Sequence, residues 1–176
     1  MRKIKLYIAI SLNGKIAKSD GSVDWLESIP KPVDSDYGYS DFYNSIDTTI
    51  QGNNSYKQIL AWGIDFPYKG KKNYVLTSNA SHEDNEDVTY ISSDHINFIK
   101  GLKEQKGNDI WLIGGSKANT LLLDAKLIDE LYVFVMPMVL NEGIEMFDTL
   151  LVDVSVNLLS SKSYDTGAVE MIYKVD

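Results

Sequence analysis

The chain has 176 residues, with 25 acidic against 17 basic side chains and a formal charge of −8 at pH 7. That acidity argues against a nucleic-acid partner, and no apolar run approaches membrane-span length. There is no cysteine, which excludes disulfides, thiolate catalysis and Cys-ligated zinc. A length of this order supports one domain, expected over residues 1–176.

The N-terminal "MRKIKLYIAI" has two basic residues and a short apolar stretch. The stretch is short for a secretory core and lacks a small-residue cleavage site. It reads as a first strand, Lys3 to Ile10, and a cytoplasmic location is expected. "SLNGKIAKSDGSVDW" is a loop punctuated by Gly14 and Gly21. Pro32 rules against a helix through "IPKPVDSDYGYS". A short helix is expected from Tyr39 to Ser45. "DTTIQG" follows as a buried strand, and "NNSYKQILAW" places Tyr56, Ile59 and Leu60 at helical spacing. Trp62 and Phe66 are expected to cover a helix end.

"KNYVLTSN" and "DVTYIS" read as strands. "SDHINFIKGLKEQKG" is an amphipathic helix with an Ile96, Ile99, Leu102 stripe and an N-cap at Ser93 or Asp94. "DIWLIGG" is a strand, "SKANTLLLDAKL" a helix, and "DELYVFVMPMVL" a strand closed by Pro137. The tail reads as a hairpin around "YDTGA". Alternating strands and helices with a closing antiparallel pair predict an α/β fold with a mainly parallel sheet.

Ligands of such sheets bind beyond the carboxyl ends of the strands. Three of those ends carry glycine or small polar residues: Gly52 to Ser55, Thr77 to Asn79, and Gly114 to Lys117. Glycines permit close backbone approach, and a helix N-terminus offers free N–H groups to an anion. Capping alone also explains each turn taken singly. The spacing matches neither G-x-G-x-x-G nor G-x-x-x-x-G-K-[ST]. The two histidines are distant in sequence and form no metal-ligand motif, so no metal is expected.

In sequence order, "YIAISLNGKIAKSDGSVDWL", "FYNSIDTTIQGNNSYKQI", "YVLTSN" and "IWLIGGSKANTLLLDAKLIDELYVFVMPMVLNEGIEMF" resemble the dihydrofolate reductase-like fold. The likeness is to the branch related to the C-terminal reductase domain of bifunctional riboflavin-biosynthesis proteins. It implies hydride transfer from a reduced nicotinamide, usually NADPH, to a pterin, pyrimidine or similar small heterocycle. It places Ala9, Gly14 and Ile16 near the nicotinamide. Gly52, Asn53, Ser55, Gly114, Gly115, Ser116 and Lys117 would hold the pyrophosphate, and Thr77 and Ser78 would lie by the adenosine ribose. It further implies a cis Gly114–Gly115 peptide and a homodimer.

Asn53 and Ser78 stand where that branch commonly carries basic residues, so NADH is an open alternative to NADPH. Lys57, Lys71, Lys72 or Lys117 could substitute as point charges. Reduction also needs a proton, and a carboxyl with a raised pKa is the usual donor. Asp24, Asp36 and Asp41 are candidates; Asp36 and, more so, Asp41 also read as helix-capping or surface residues, which leaves Asp36 and Asp24 as the assignments. Two other readings stay open: a non-catalytic nucleotide-binding protein that keeps the fold, and a true dihydrofolate reductase.

Overall fold

The computed structural model describes all 176 residues. β1 (Ile4–Ser11) is followed by β2 (Lys15–Ala17), α1 (Tyr39–Ser45), β3 (Ile46–Gly52) and α2 (Asn53–Ala61). Next come β4 (Lys72–Leu76), β5 (Thr89–Ile91), α3 (His95–Glu104), β6 (Asp109–Gly114) and α4 (Ser116–Asp124). β7 (Glu130–Met136), β8 (Ile144–Glu145), β9 (Val156–Ser163) and β10 (Val169–Val175) complete the chain.

Eight strands form one sheet in the order β5-β4-β3-β6-β1-β7-β10-β9. The first six of these run parallel, and β10 and β9 join antiparallel. β2 and β8 pair separately as a small antiparallel ribbon. The fold is therefore the mainly parallel α/β sheet with an antiparallel C-terminal hairpin that the alternating pattern predicts.

Each face of the sheet is covered. Ile4, Leu6, Ile8, Ile110 and Leu112 point to one side and pack with Ile99 and Leu102 of α3 and Leu122 and Leu123 of α4. On the other side Trp111 and Val75 meet Phe42 of α1 and Tyr56 and Ile59 of α2. Burial on both faces is what a central parallel strand requires. The Ile96, Ile99, Leu102 stripe of α3 faces the core, with Ile96 at its margin.

Two local expectations change. Trp62 is 47% exposed at the end of α2, so only Phe66 serves as a cover, against Tyr56 and Tyr68. Asp94 does occupy the N-cap of α3, but with φ 49 and no side-chain bond to a helix N–H. Its carboxylate accepts instead from the Asn97 amide, 2.8 Å away.

Candidate dinucleotide site

Because β4, β3, β6 and β1 are parallel neighbours, their carboxyl ends lie side by side on one edge. Along that edge stand Thr77, Gly52, Gly114 and Ser11 in turn. The structure thus brings together the three turns and the loop that the sequence singles out.

The turns at Gly52 and Gly114–Gly115 touch. A Cβ built on Gly52 would lie 3.8 Å from the Gly114 carbonyl oxygen, 3.8 Å from the Gly115 nitrogen and 3.9 Å from the Ala118 methyl. A Cβ on Gly115 would lie 3.2 Å from the Ser55 hydroxyl and 3.8 Å from the Ile16 side chain. The Gly114–Gly115 peptide is cis, as the resemblance implies. Gly52 is the N-cap of α2 and Gly115 the N-cap of α4, and neither helix has a side-chain cap bond. Two nine-residue helices therefore present uncapped N-terminal N–H groups at adjoining turns. Such ends favour an anion through their free donors and the positive end of the helix dipole.

Buried polar side-chain atoms normally find a partner. Five in this protein do not: Trp25 Nε1, Gln51 Nε2, Gln51 Oε1, Asn53 Oδ1 and Asn119 Oδ1. Four of the five belong to residues in or beside these turns. Gln51 and Asn53 flank Gly52, and the Asn119 side chain lies 3.4 Å from where a Gly114 Cβ would stand. Gln51 and Asn119 are fully buried. Neither is marked by a motif in the sequence. The signal available there was an amide inside an apolar run, "TTIQG" and "KANTLLL", where periodicity alone calls for an apolar residue.

The other expected residues take definite places. Ala9 is half-buried on β1 beside the Trp25, Phe134 and Met136 cluster. Gly14 sits at φ +83, and its carbonyl accepts from the Met146 N–H. Ile16 reaches Gly115, as above. Asn53 opens α2 and its Nδ2 lies 3.4 Å from His82 Nε2, while His82 stacks on Tyr90 at 4.6 Å between ring centroids. Thr77 is buried and its hydroxyl accepts from the Asn79 N–H, whereas Ser78 is exposed. Ser116 and Lys117 form the first turn of α4, with Lys117 exposed. The loop after β1 is held over this edge by the Gln58 amide, which donates to the Gly21 carbonyl.

Lys71 and Lys72 are not part of the site. Both lie at the amino end of β4, opposite Thr77, and the Lys71 ammonium is taken up by the Tyr43 and Ile46 carbonyls at 2.9 and 2.8 Å. Lys117 remains as a cation in the first turn of α4, and Lys57 in the second turn of α2.

Neither carboxyl expected to donate a proton has the setting for it. Asp36 is exposed and accepts from the Gly38 N–H at 3.0 Å, the Ser40 N–H at 2.8 Å and the Ser40 hydroxyl. Those bonds, the Ser40 hydroxyl first, hold its pKa below the usual carboxylate value. Asp24 is exposed beside the Lys18 ammonium at 2.8 Å, which likewise lowers its pKa. Desolvation would be needed to raise either one. The Asp36 carboxylate bonds the Ser40 N–H at the start of α1, and neither Asp36 nor Asp24 has the desolvation that raises a carboxyl pKa. Tyr37 and Tyr39 are committed to packing, against Phe134 and Tyr164 and against Tyr7, Tyr43 and Trp111 respectively.

Residues 67–169 match the family model described as the RibD C-terminal domain. The chain belongs to this family. The RibD C-terminal family comprises NADPH-dependent reductases. Two proteins of Bacillus subtilis (strain 168) align over nearly their whole length. Uncharacterized protein YwjB is 38% identical over 172 residues, covering 98% of this chain and 97% of its own. Uncharacterized protein YyaP is 29% identical over 186 residues, covering 98% and 94%. Among solved structures, a Shewanella sp. PV-4 protein provisionally named for riboflavin biosynthesis superposes with TM-score 0.88 at 26% identity, covering 99% of both chains. The fold also recurs in a diaminohydroxyphosphoribosylaminopyrimidine deaminase/5-amino-6-(5-phosphoribosylamino)uracil reductase from Thermotoga maritima. The TM-score there is 0.74 at 17% identity, over 99% of this chain and 57% of the other.

Proposed function

We propose that this RibD C-terminal domain is a nicotinamide-dinucleotide-dependent reductase acting on a pterin, pyrimidine or similar small heterocycle. The observation that carries this is the gathering of unpartnered buried polar atoms on the two abutting glycine turns. Beside them the uncapped N–H groups of α2 and α4 face bare glycine backbone, the setting that favours a phosphate.

In this reading Gly52 to Ser55 and Gly114 to Lys117 hold the pyrophosphate through helix N–H groups. Thr77 and Ser78 flank the adenosine ribose, and Ala9, Gly14 and Ile16 border the nicotinamide. A reduced nicotinamide bound there supplies the hydride. The chain's own contribution is to align the ring with the substrate and to keep bulk water from that face. With Asp24 and Asp36 engaged elsewhere, water is the proton source. NADPH is the expected cofactor by family, and NADH is open because Asn53 and Ser78 carry no charge. We also take the protein to be a homodimer. The support is β9, which lies at the open end of the sheet with all eight residues exposed, including Val156, Leu158 and Leu159. Such an edge invites pairing with a second copy.

A second reading, a nucleotide-binding protein without reductase activity, draws on the missing acid. The test is one titration and one assay. Fluorescence titration with NADPH and NADH measures binding, and loss of reduced-nicotinamide absorbance over a panel of heterocycles measures turnover. Binding with turnover is the expected result. Binding without turnover on any of them moves the protein to the second reading, and no binding refutes both.

A further inference from the structure

With the nicotinamide against Ala9, the substrate's side of the ring is the side of β7 and β10. Ala9 is level with Phe134 across the β1–β7 pairing, and Phe134 with Glu170 across β7 and β10. Aromatic rings gather along this row. Phe134 lies 4.6 Å from Tyr7 and 5.9 Å from Tyr37, and Tyr37 lies 4.7 Å from Tyr164, between ring centroids. Such a surface suits a flat ring, and the charges around it decide which one. The basic side chains at this end are Lys15, Lys18, Lys31 and Lys162. Lys15 is paired with Glu145 and Lys18 with Asp24. The Lys162 ammonium rests 4.7 Å from the centre of the Tyr164 ring, and both Lys162 and Lys31 are exposed. The single arginine, Arg2, is buried at the opposite edge beside Asp47.

The carboxylates at this end are not matched by cations. Glu170 accepts from the Tyr164 hydroxyl at 2.9 Å and Asp165 from the Val33 N–H at 3.3 Å. Asp36 takes the Gly38 and Ser40 N–H groups, so the start of α1 already holds a carboxylate of the chain itself. Burial raises the pKa of the Tyr7 and Tyr164 phenols, and the charges of Glu170 and Asp36 raise both further, so their field reaches the aromatic face. We propose that the substrate is an unphosphorylated heterocycle, neutral or cationic, and that this end of the site rejects phosphate esters. A phosphate here would meet Asp36, Asp165 and Glu170 and gain only the solvent-exposed Lys31 and Lys162. The free helix N–H groups, with Lys57 and Lys117, lie at the Gly52 and Gly114 turns and serve the cofactor's pyrophosphate instead. The proposal rests on the reductase reading above and narrows its substrate class.

The experiment measures kcat/KM on matched pairs of pyrimidines and pterins, each with and without a phosphate ester. One pair is 5-amino-6-(5-phosphoribosylamino)uracil, the compound in the name of the Thermotoga maritima protein, and its dephosphorylated form. The expected result is a preference for the unphosphorylated member of about tenfold or more at low salt, because like charges exclude the ester. Raising the ionic strength from about 0.01 to 0.15 M shortens the screening length from about 30 to 8 Å and should narrow that gap. Asp24→Asn frees the Lys18 ammonium and should raise turnover of the ester by about threefold or more, with the unphosphorylated member held within about twofold. A wild type that prefers the ester, or treats the pair alike, overturns the proposal. So does a preference that responds neither to salt nor to Asp24→Asn, which would mark exclusion by shape. If no member of any pair is reduced, the reductase reading fails first and takes this proposal with it.

Discussion

Replacing Gly52 by alanine separates what the paired turns do for folding from what they do for binding. Gly52 has φ −76 and ψ 153, a conformation open to any residue. The three nearest atoms to its added methyl stand at 3.8–3.9 Å, which is ordinary contact distance. Alanine therefore fits without strain. At a compatible position a Gly→Ala change stabilises by about 0.4–1 kcal/mol, mostly by restricting the unfolded chain. For a chain of this size that raises the melting midpoint by about 1–4 °C. The same methyl occupies the gap between the turns, where a phosphate needs to meet bare backbone. Loss of one hydrogen bond to a charged group costs about 1.5–3 kcal/mol, which is a loss in affinity of roughly tenfold or more. Calorimetric melting and a fluorescence titration with NADPH and NADH read the two effects on one preparation. A variant that melts higher and binds at least tenfold more weakly is the expected result. Wild-type affinity in Gly52→Ala would refute the cradle, and a lowered midpoint would refute the packing argument.

Asp36→Ala should lower the melting midpoint at neutral pH while leaving the pH profile of turnover unchanged, since the carboxylate is exposed and committed to Gly38 and Ser40 at the start of α1. Its folded pKa is depressed, so its stabilisation is present above the unfolded value of about 3.9 and fades as pH falls through the folded one. Melts of wild type and variant should therefore converge in acid, and a gap that widens there would contradict the sign. Asp24→Ala should likewise keep the neutral-pH rate within about threefold, and a collapse of kcat would restore it as a proton donor. Arg2→Ala removes a buried guanidinium bonded to Asp47, the Thr48 hydroxyl and the Asn108 carbonyl. Because Asp47 is 39% exposed, the cost should be about 2–3 kcal/mol by denaturant titration, below the range for a fully buried pair. Leu158→Lys on β9 should shift sedimentation from dimer to monomer, and an unchanged dimer would move the interface elsewhere.

The elements legible in the sequence are those whose own residues impose a period. "KIKLYIAI", "DTTIQG" and "DIWLIGG" lie in or beside apolar runs bounded by turn residues. The helix from Tyr39 to Ser45 follows a proline and a glycine. The β2–β8 ribbon was not legible, because strands of three and two residues carry no period and exist only through long-range pairing. The three site turns could be found from their glycines and small polar residues. Gln51 and Asn119 could not, since an amide becomes informative only once its burial and missing partners are known. Asp36 shows the opposite limit. "DSDYGYS" fits a cap and an acid equally well, and only the bonds to Gly38 and Ser40 decide between them.

Charge is distributed unevenly between the two edges of the sheet. Four of the six ion pairs, Arg2–Asp47, Lys3–Glu130, Lys5–Asp109 and Lys103–Asp129, lie at the amino ends of the parallel strands. There Asp129 also accepts from the Ile4 N–H at 2.7 Å and Lys103 donates to the Leu127 carbonyl at 3.0 Å, so polar groups are used more than once. At the carboxyl ends the reverse holds: helices start without side-chain caps and buried amides keep free atoms. Ser, Thr, Asp or Asn in place of the glycine N-caps of α2 and α4 would add only about a few tenths of a kcal/mol each. The ion pairs are thus concentrated at the amino edge, while the carboxyl edge carries the unpartnered amides and the free helix N–H groups of α2 and α4.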